Sequence, residues 1–320
     1  MNIVVLDGYP LNPGDLSWEP LKAFGNLKVY DRTPYNTQDI LEAIGDAEIV
    51  FTNKTPLSEA TLKQANQLKY IGVLATGFNN VDTDFAKSQN IVVTNVPTYS
   101  TSSVAQFTMA LILELCHHVG AHDRAVHNGD WSKSPYFSFW NTPQMELQGK
   151  YLGIIGFGKI GQATAKIAQA FGLNILAYSR SRNKILESDT CQYATLDELL
   201  EKSDIISLHC PQTEATAGII NKTSLSKMKK NALLINTSRG GLIIEEDLKN
   251  ALNSNQIAGA ALDVVSKEPI KADNPILSAK NCIITPHIAW SPKASRERLM
   301  KVAVENLKSF LDGKPQNVVN

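Results

Sequence analysis

Arg239, Glu268 and His287 each come just after a short apolar run of strand character in the second half of the chain. In an open α/β sheet, residues beyond the carboxyl ends of strands converge on one crevice. Brought together there, these three types suit the reduction of a carbonyl. A histidine can donate the proton, because its unperturbed pKa lies near neutrality. A glutamate on the other ring nitrogen fixes the tautomer and favours the imidazolium. An arginine offers a planar fork to a carboxylate or an adjacent oxygen. Each residue also has a plain structural alternative. Arg239, in TSRGG, could pair with Glu245, and Glu268, before Pro269, could be a solvated loop residue. A histidine after a strand often does no more than fix a loop.

Carbonyl reduction also needs a hydride, and one stretch provides for a hydride carrier. Between Lys150 and Ser181 an apolar run leads into Gly156, Gly158 and Gly161. A helix-forming segment follows, ended by Gly172, and then a second apolar run. This strand, glycine turn, helix and strand is the unit that holds a dinucleotide pyrophosphate. The first N–H groups of the helix face the anion. Gly156, Phe157, Gly158, Lys159, Ile160 and Gly161 are the candidate phosphate contacts. An Asp or Glu normally meets the adenosine ribose at the end of the second strand. Here Ser179, Arg180 and Ser181 stand there, followed by Arg182, with no carboxylate. Serine and arginine accept a 2′-phosphate that a carboxylate would repel, so NADP(H) is favoured over NAD(H).

The elements that must position these residues are legible as alternation. The strand candidates in the first hundred residues are Ile3–Leu6, Leu27–Tyr30, Ile49–Thr52, Tyr70–Leu74 and Ile91–Thr94. Segments such as Thr37–Ile44 and Ser58–Ala65 between them have helical periodicity. The second half repeats the plan with Leu152–Ile155, Ile175–Tyr178, Ile205–His209, Ala232–Asn236, Gly259–Val264 and Cys282–Thr285. Alternation of this kind means parallel sheets with helices on both faces, and a chain of 320 residues holds about two such domains. The expected division is 1–100 plus 290–320 as a substrate domain and 101–289 as a dinucleotide domain. A long apolar helix from Val104, an irregular aromatic loop over Trp131–Pro143 and a last helix over about Lys293–Leu311 complete the reading.

Lys plus Arg equals Asp plus Glu, at 31 each, so nothing favours nucleic acid or an anionic membrane. The N-terminal MNIVVLDG lacks a basic segment before its apolar run, and the apolar stretch from Val104 to Cys116 is too short to span a bilayer. Four cysteines without metal spacing suit a reducing, cytoplasmic setting. His117, His118, His122 and His127 lie near a helix end with no Cys or carboxylate cluster, so no metal is expected.

The segments GFGKIG, SLHCPQT, LLINTSRGGLI, ALDVVSKEP and TPHIAWSP, in this order and spacing, resemble the D-isomer-specific 2-hydroxyacid dehydrogenases. PLNPGDLSWEPL, VLATGFNNVD and the SFW before MEL carry the likeness to the glycerate dehydrogenase, or hydroxypyruvate reductase, branch. The resemblance implies a flavodoxin-like substrate domain and a Rossmann domain, with the C-terminal helix returning to the first and a cleft that opens and closes between them. It makes His287 the acid/base, Glu268 its partner and Arg239 the substrate cation. The backbone of Ala75, Thr76 and Gly77 would cap the substrate carboxylate, and Asp263 would take the nicotinamide amide. Val104, Thr237, Ser238 and the loop His209, Cys210, Pro211 would line the cofactor. A homodimer is implied, with Trp140 the candidate to enter a neighbour's site. Two features depart from the pattern: Gln106 follows Ala105 where the family often has Glu, and the ribose position lacks its carboxylate. Hydroxypyruvate or glyoxylate is the expected substrate. The alternatives are a broad, D-lactate-type 2-ketoacid reductase and, from another class, a dinucleotide-sensing corepressor on the same fold. A 3-phosphoglycerate dehydrogenase fits less well without a basic cluster in the first domain. A formate dehydrogenase would have a neutral residue at Glu268.

Overall fold

The computed structural model describes all residues, Met1–Asn320. They form two compact units, one of Met1–Ser100 with Trp290–Asn320 and one of Thr101–Ala289.

The first unit holds β1 (Asn2–Val5), β2 (Asn26–Val29), β3 (Ile49–Thr52), β4 (Tyr70–Val73) and β5 (Val92–Thr94) in the order β2-β1-β3-β4-β5. Every neighbouring pair is parallel. Ile3 and Val5 enter one apolar cluster, and Val4 and Leu6 enter the cluster on the other face. Both faces of β1 are therefore covered, which is why it reads as an unbroken apolar run, whereas the edge strand β2 keeps Asn26 and Lys28 exposed. The helix Lys293–Leu311 closes one face through Leu299, Met300, Ala303 and Leu307. The last residues run along β5, with Val319 N–H donating to the Val93 carbonyl at 2.9 Å, and so cover an edge that would otherwise be open.

The second unit holds β6 (Tyr151–Ile155), β7 (Asn174–Tyr178), β8 (Cys191–Tyr193), β9 (Ile205–Leu208), β10 (Leu233–Asn236), β11 (Gly259–Leu262) and β12 (Cys282–Ile284). They lie in the order β12-β11-β10-β9-β6-β7-β8, again all parallel. The order reverses between β6 and β9, which opens a crevice at their carboxyl ends. The helix Thr101–His117 packs Met109, Leu111, Ile112, Leu115 and Cys116 against one face.

The fold is the expected pair of doubly wound α/β domains, with three local differences. β8 escapes detection because it is a three-residue edge strand paired only with β7, too short to show a period. The apolar helix begins at Thr101, because polar residues fit a first turn whose N–H groups have no intrahelical acceptor. The Ser58–Ala65 segment is helical only over Glu59–Leu62. No single helix is long and apolar enough to cross a membrane.

Candidate active site

The glycine turn joins β6 to the helix Lys159–Ala170. Gly156 has φ +100°, and a Cβ there would strike the backbone of His209 and Cys210 at the end of β9. A Cβ on Gly161 would strike the Gly156 carbonyl. Beside Gly158 there is open space, and no side chain caps the helix that follows it. The turn therefore offers uncapped N–H groups to an anion and a backbone that it can approach closely.

Along the carboxyl edge of the sheet the candidates fall in spatial order. His287 follows β12, Glu268 follows β11 and Arg239 follows β10. His209 to Pro211 follow β9, the glycine turn follows β6, and Ser179 to Arg182 follow β7. The acid/base set thus stands at one end of the row and the ribose position at the other.

His287 Nδ1 donates to Glu268 Oε2 at 2.7 Å, since a carboxylate only accepts. No protein group bonds Nε2, which carries a proton to donate when the ring is the imidazolium. The pair is partly screened, with side chains 27% and 34% exposed. Glu268 Oε1 also accepts from Val265 N–H at 3.3 Å. His287 has φ +57°, a left-handed state that costs a non-glycine residue about 1–3 kcal/mol. Asp263 holds it there. Its Oδ1 accepts from Thr285 Oγ1 at 2.6 Å and Ile288 N–H at 2.9 Å, and its Oδ2 accepts from Ala289 N–H at 2.8 Å.

Arg239 is half-buried and does not pair with Glu245. Glu245 instead accepts from the N–H and hydroxyl of Ser266 and from Asn274. The guanidinium bonds only the Ser238 carbonyl, at 2.8 Å, so most of its fork is available. Buried Asn236 shapes this turn by donating to the Arg239 carbonyl and accepting from Ser238 N–H. Ser238 Oγ donates to the Cys210 carbonyl at 2.6 Å, and the Thr237 hydroxyl meets that of Thr108 at 3.0 Å. Thr108 in turn bonds the carbonyl of Val104, whose side chain is buried. Burial pushes the His209 ring down to about 4, so it is neutral at pH 7, with Nε2 on Ser207 Oγ at 2.9 Å.

A family model for the NAD-binding domain of D-isomer-specific 2-hydroxyacid dehydrogenases matches residues 109–289. The chain belongs to this family. It is 56% identical over 321 residues to a hydroxypyruvate reductase of Blautia hydrogenotrophica, covering 100% of both chains. It is 40% identical to a glycerate dehydrogenase of Methylorubrum extorquens, over 91% of each. Among solved structures, an acyclic imino acid reductase in complex with NADPH and D-Arg matches with TM-score 0.87 at 32% identity, over the whole of both chains. As a 2-hydroxyacid dehydrogenase the protein is an oxidoreductase with a nicotinamide-dinucleotide domain, and the glycine turn fits that cofactor.

The remaining candidates of this dehydrogenase lie elsewhere. In the first unit, Ala75, Thr76 and Gly77 form the turn after β4, and their N–H groups donate to no protein acceptor. The turn is pinned by Thr76 Oγ1 to the Val96 carbonyl at 2.8 Å and by Asn95 to the Thr76 carbonyl at 2.7 Å. Trp140 is 69% exposed on the irregular loop, which Trp131 folds back by donating to the Phe137 carbonyl. His122 bridges the His118 carbonyl and Asn141 N–H, and His117 meets Gln144, so both serve local structure. Asp263, expected at the nicotinamide amide, is 1% exposed and uses both oxygens to hold the His287 segment. Sequence reasoning missed this holding role and that of Asn236. The one signal available was a polar residue at the end of an otherwise apolar strand.

Proposed function

We propose that this dehydrogenase reduces hydroxypyruvate, and glyoxylate as a smaller substrate, to the 2-hydroxy acid, and that it favours NADPH over NADH. The observation that carries the reading is the 2.7 Å His287–Glu268 pair at the carboxyl edge of a dinucleotide-type sheet, with the largely unengaged Arg239 fork on the next strand. The full-length relationship to a hydroxypyruvate reductase supports the substrate.

The reduced nicotinamide, when bound, supplies the hydride. Its pyrophosphate would lie on Gly156 to Gly161 and its adenosine end at Ser179 to Arg182. Arg239 holds the substrate carboxylate and draws charge from the carbonyl, which stabilises the developing alkoxide. His287, with Nδ1 held by Glu268, gives its Nε2 proton to that oxygen. Glu268 stabilises the imidazolium that is ready to donate. In the first unit, the amides of Ala75, Thr76 and Gly77, which have no protein acceptor, are suited to cap a carboxylate. Arg180 is exposed at the end of β7, which supports a 2′-phosphate as its counter-charge, while Arg182 already interacts with the Glu198 carboxylate.

We further propose that the protein works in the cytoplasm as a homodimer. Four free cysteines support a reducing compartment. Phe137 and Trp140, 90% and 69% exposed, support a second copy over the aromatic loop, with Trp140 reaching its neighbour's substrate. Initial rates with hydroxypyruvate, glyoxylate and pyruvate, each with NADPH and NADH, test the proposal. The highest kcat/KM is expected for hydroxypyruvate with NADPH. Preference for pyruvate would move the protein to the D-lactate-type class.

A further inference from the structure

Asn306 shares the buried side of the helix Lys293–Leu311 with Leu299, Met300, Ala303 and Leu307, and it is 1% exposed. An amide buried so fully needs partners. Its Nδ2 donates to the Asn95 carbonyl at 2.9 Å, and its Oδ1 accepts from Asn317 Nδ2 at 2.8 Å. The Asn317 carbonyl in turn accepts from Asn95 N–H at 3.1 Å. Both backbone polar groups of Asn95 are therefore fixed from the C-terminal part of the chain. Asn95 is itself buried and stands one residue after β5. Its side chain serves a third segment, with Nδ2 donating to the Thr76 carbonyl at 2.7 Å.

That carbonyl belongs to the Ala75–Gly77 turn, and peptide geometry extends the reach of the bond. In a trans peptide, the C=O of one residue and the N–H of the next point in opposite directions across a rigid plane. The peptides of this turn are trans. Holding the Thr76 carbonyl therefore aims the Gly77 N–H. The Ala75 carbonyl accepts from Val96 N–H at 3.0 Å, which aims the Thr76 N–H in the same way. Thr76 Oγ1 donates to the Val96 carbonyl at 2.8 Å and ties the turn a third time. The amides so aimed are the ones that donate to no protein acceptor. The carbonyls of Ala75 and Thr76 are committed to the protein, and the amides that follow them are open to a ligand.

We infer that Asn95 is a positioning residue for the substrate carboxylate, that it acts by aiming the Gly77 amide, and that Asn306 holds Asn95 in place. The inference rests on the proposed function, because the Ala75–Gly77 turn must take the carboxylate. Donors fixed in advance need no ordering when the anion arrives, so more of their interaction appears as affinity. The carboxylate is common to every 2-oxo acid. Asn95 therefore sets affinity for the whole class and does not choose among its members. The returning helix then has a task beyond covering one face of the sheet, since its buried amide reaches the turn through a single residue.

The test is the KM for hydroxypyruvate and for glyoxylate in Asn95→Ala and Asn306→Leu. Asn95→Ala is expected to raise both by the same factor, about 3- to 10-fold, the size of one neutral hydrogen bond. Its kcat should change much less, as expected when an interaction present in ground and transition states alike is lost. NADPH affinity should stay at the parent's value, since the glycine turn belongs to the other unit. Mere loss of stability would lower Tm and the amount of active enzyme without raising KM. Asn306→Leu is expected to raise the same KM values by a smaller factor, and to add nothing to Asn95→Ala in the double variant, because it acts through Asn95. KM values within twofold of the parent in Asn95→Ala would overturn the inference. Unchanged KM values in Asn306→Leu would overturn the part given to Asn306, and the whole inference if Asn95→Ala does not fold. A rise for one acid only would also overturn it. A parent inert toward every 2-oxo acid would instead overturn the functional reading, and this inference with it.

Discussion

His287 combines a short bond to Glu268 with a left-handed backbone. Asp263 holds that backbone from below, so the orientation of the acid depends on a buried carboxylate four residues after the start of β11. If Glu268 stabilises the imidazolium, Glu268→Gln should move the alkaline limb of the hydroxypyruvate reduction profile to lower pH, because the protonated ring then loses its charged partner. A kcat/KM–pH series on the parent and variant checks this, and superimposable limbs would deny Glu268 the role. His209 should contribute nothing to either limb between pH 5 and 8, since its ring, pushed down to about 4, stays neutral throughout. At this scale the sequence made Arg239, Glu268 and His287 legible through their places after apolar runs. Asp263 and Asn236 were legible only as polar residues in strands, since their work lies in bonds to segments distant in the chain or to a turn whose shape no local pattern encodes.

Eleven of the twelve strands can be read from the sequence, most of them because two covered faces leave unbroken apolar runs, while the edge strand β2 alternates around exposed Asn26 and Lys28. The glycine turn was equally plain, since Gly156 and Gly161 mark places where a Cβ has no room. What runs and glycines do not reveal is side-chain commitment. By sequence Glu245 is open to Arg239, but its three bonds to Ser266 and Asn274 commit it elsewhere. The end of β7 carries a prediction of its own. Ser179 is half-buried and Arg180 exposed where a ribose carboxylate would stand. Arg180→Ala should cut kcat/KM with NADPH by about tenfold and affect NADH much less, because it loses a charge-assisted contact to phosphate. Ser179→Asp should reverse the preference by repelling that phosphate. The parent's margin should shrink at high salt, as expected for exposed charges. Equal kcat/KM for the two cofactors in the parent would remove the basis for both variants.

Across the whole molecule, the chain leaves the first unit at Ser100 and re-enters it at Trp290. The returning helix is secured by Arg296, which bonds both oxygens of Asp15 at 2.6 and 2.7 Å and also the Leu11 carbonyl. The guanidinium's hydrogen bonds hold the Asp15 carboxyl below its ordinary value. A carboxyl whose folded value is depressed contributes stability above its unfolded value and loses it as pH falls through the folded one. Asp15→Asn should therefore lower Tm at pH 7, with the gap to the parent closing below about pH 4. A gap that persists unchanged in acid would mean that packing, and not the ion pair, was lost. Neither partner of this bond stood out in the sequence, because 281 residues separate them. One group, His287, supplies the proton while other elements hold the cofactor. The direct measurement is hydroxypyruvate turnover by His287→Asn together with a fluorescence titration of NADPH binding. Turnover should fall by about 10²- to 10⁴-fold with NADPH affinity little changed. Near-normal turnover, with the variant folded and binding NADPH, would contradict the account.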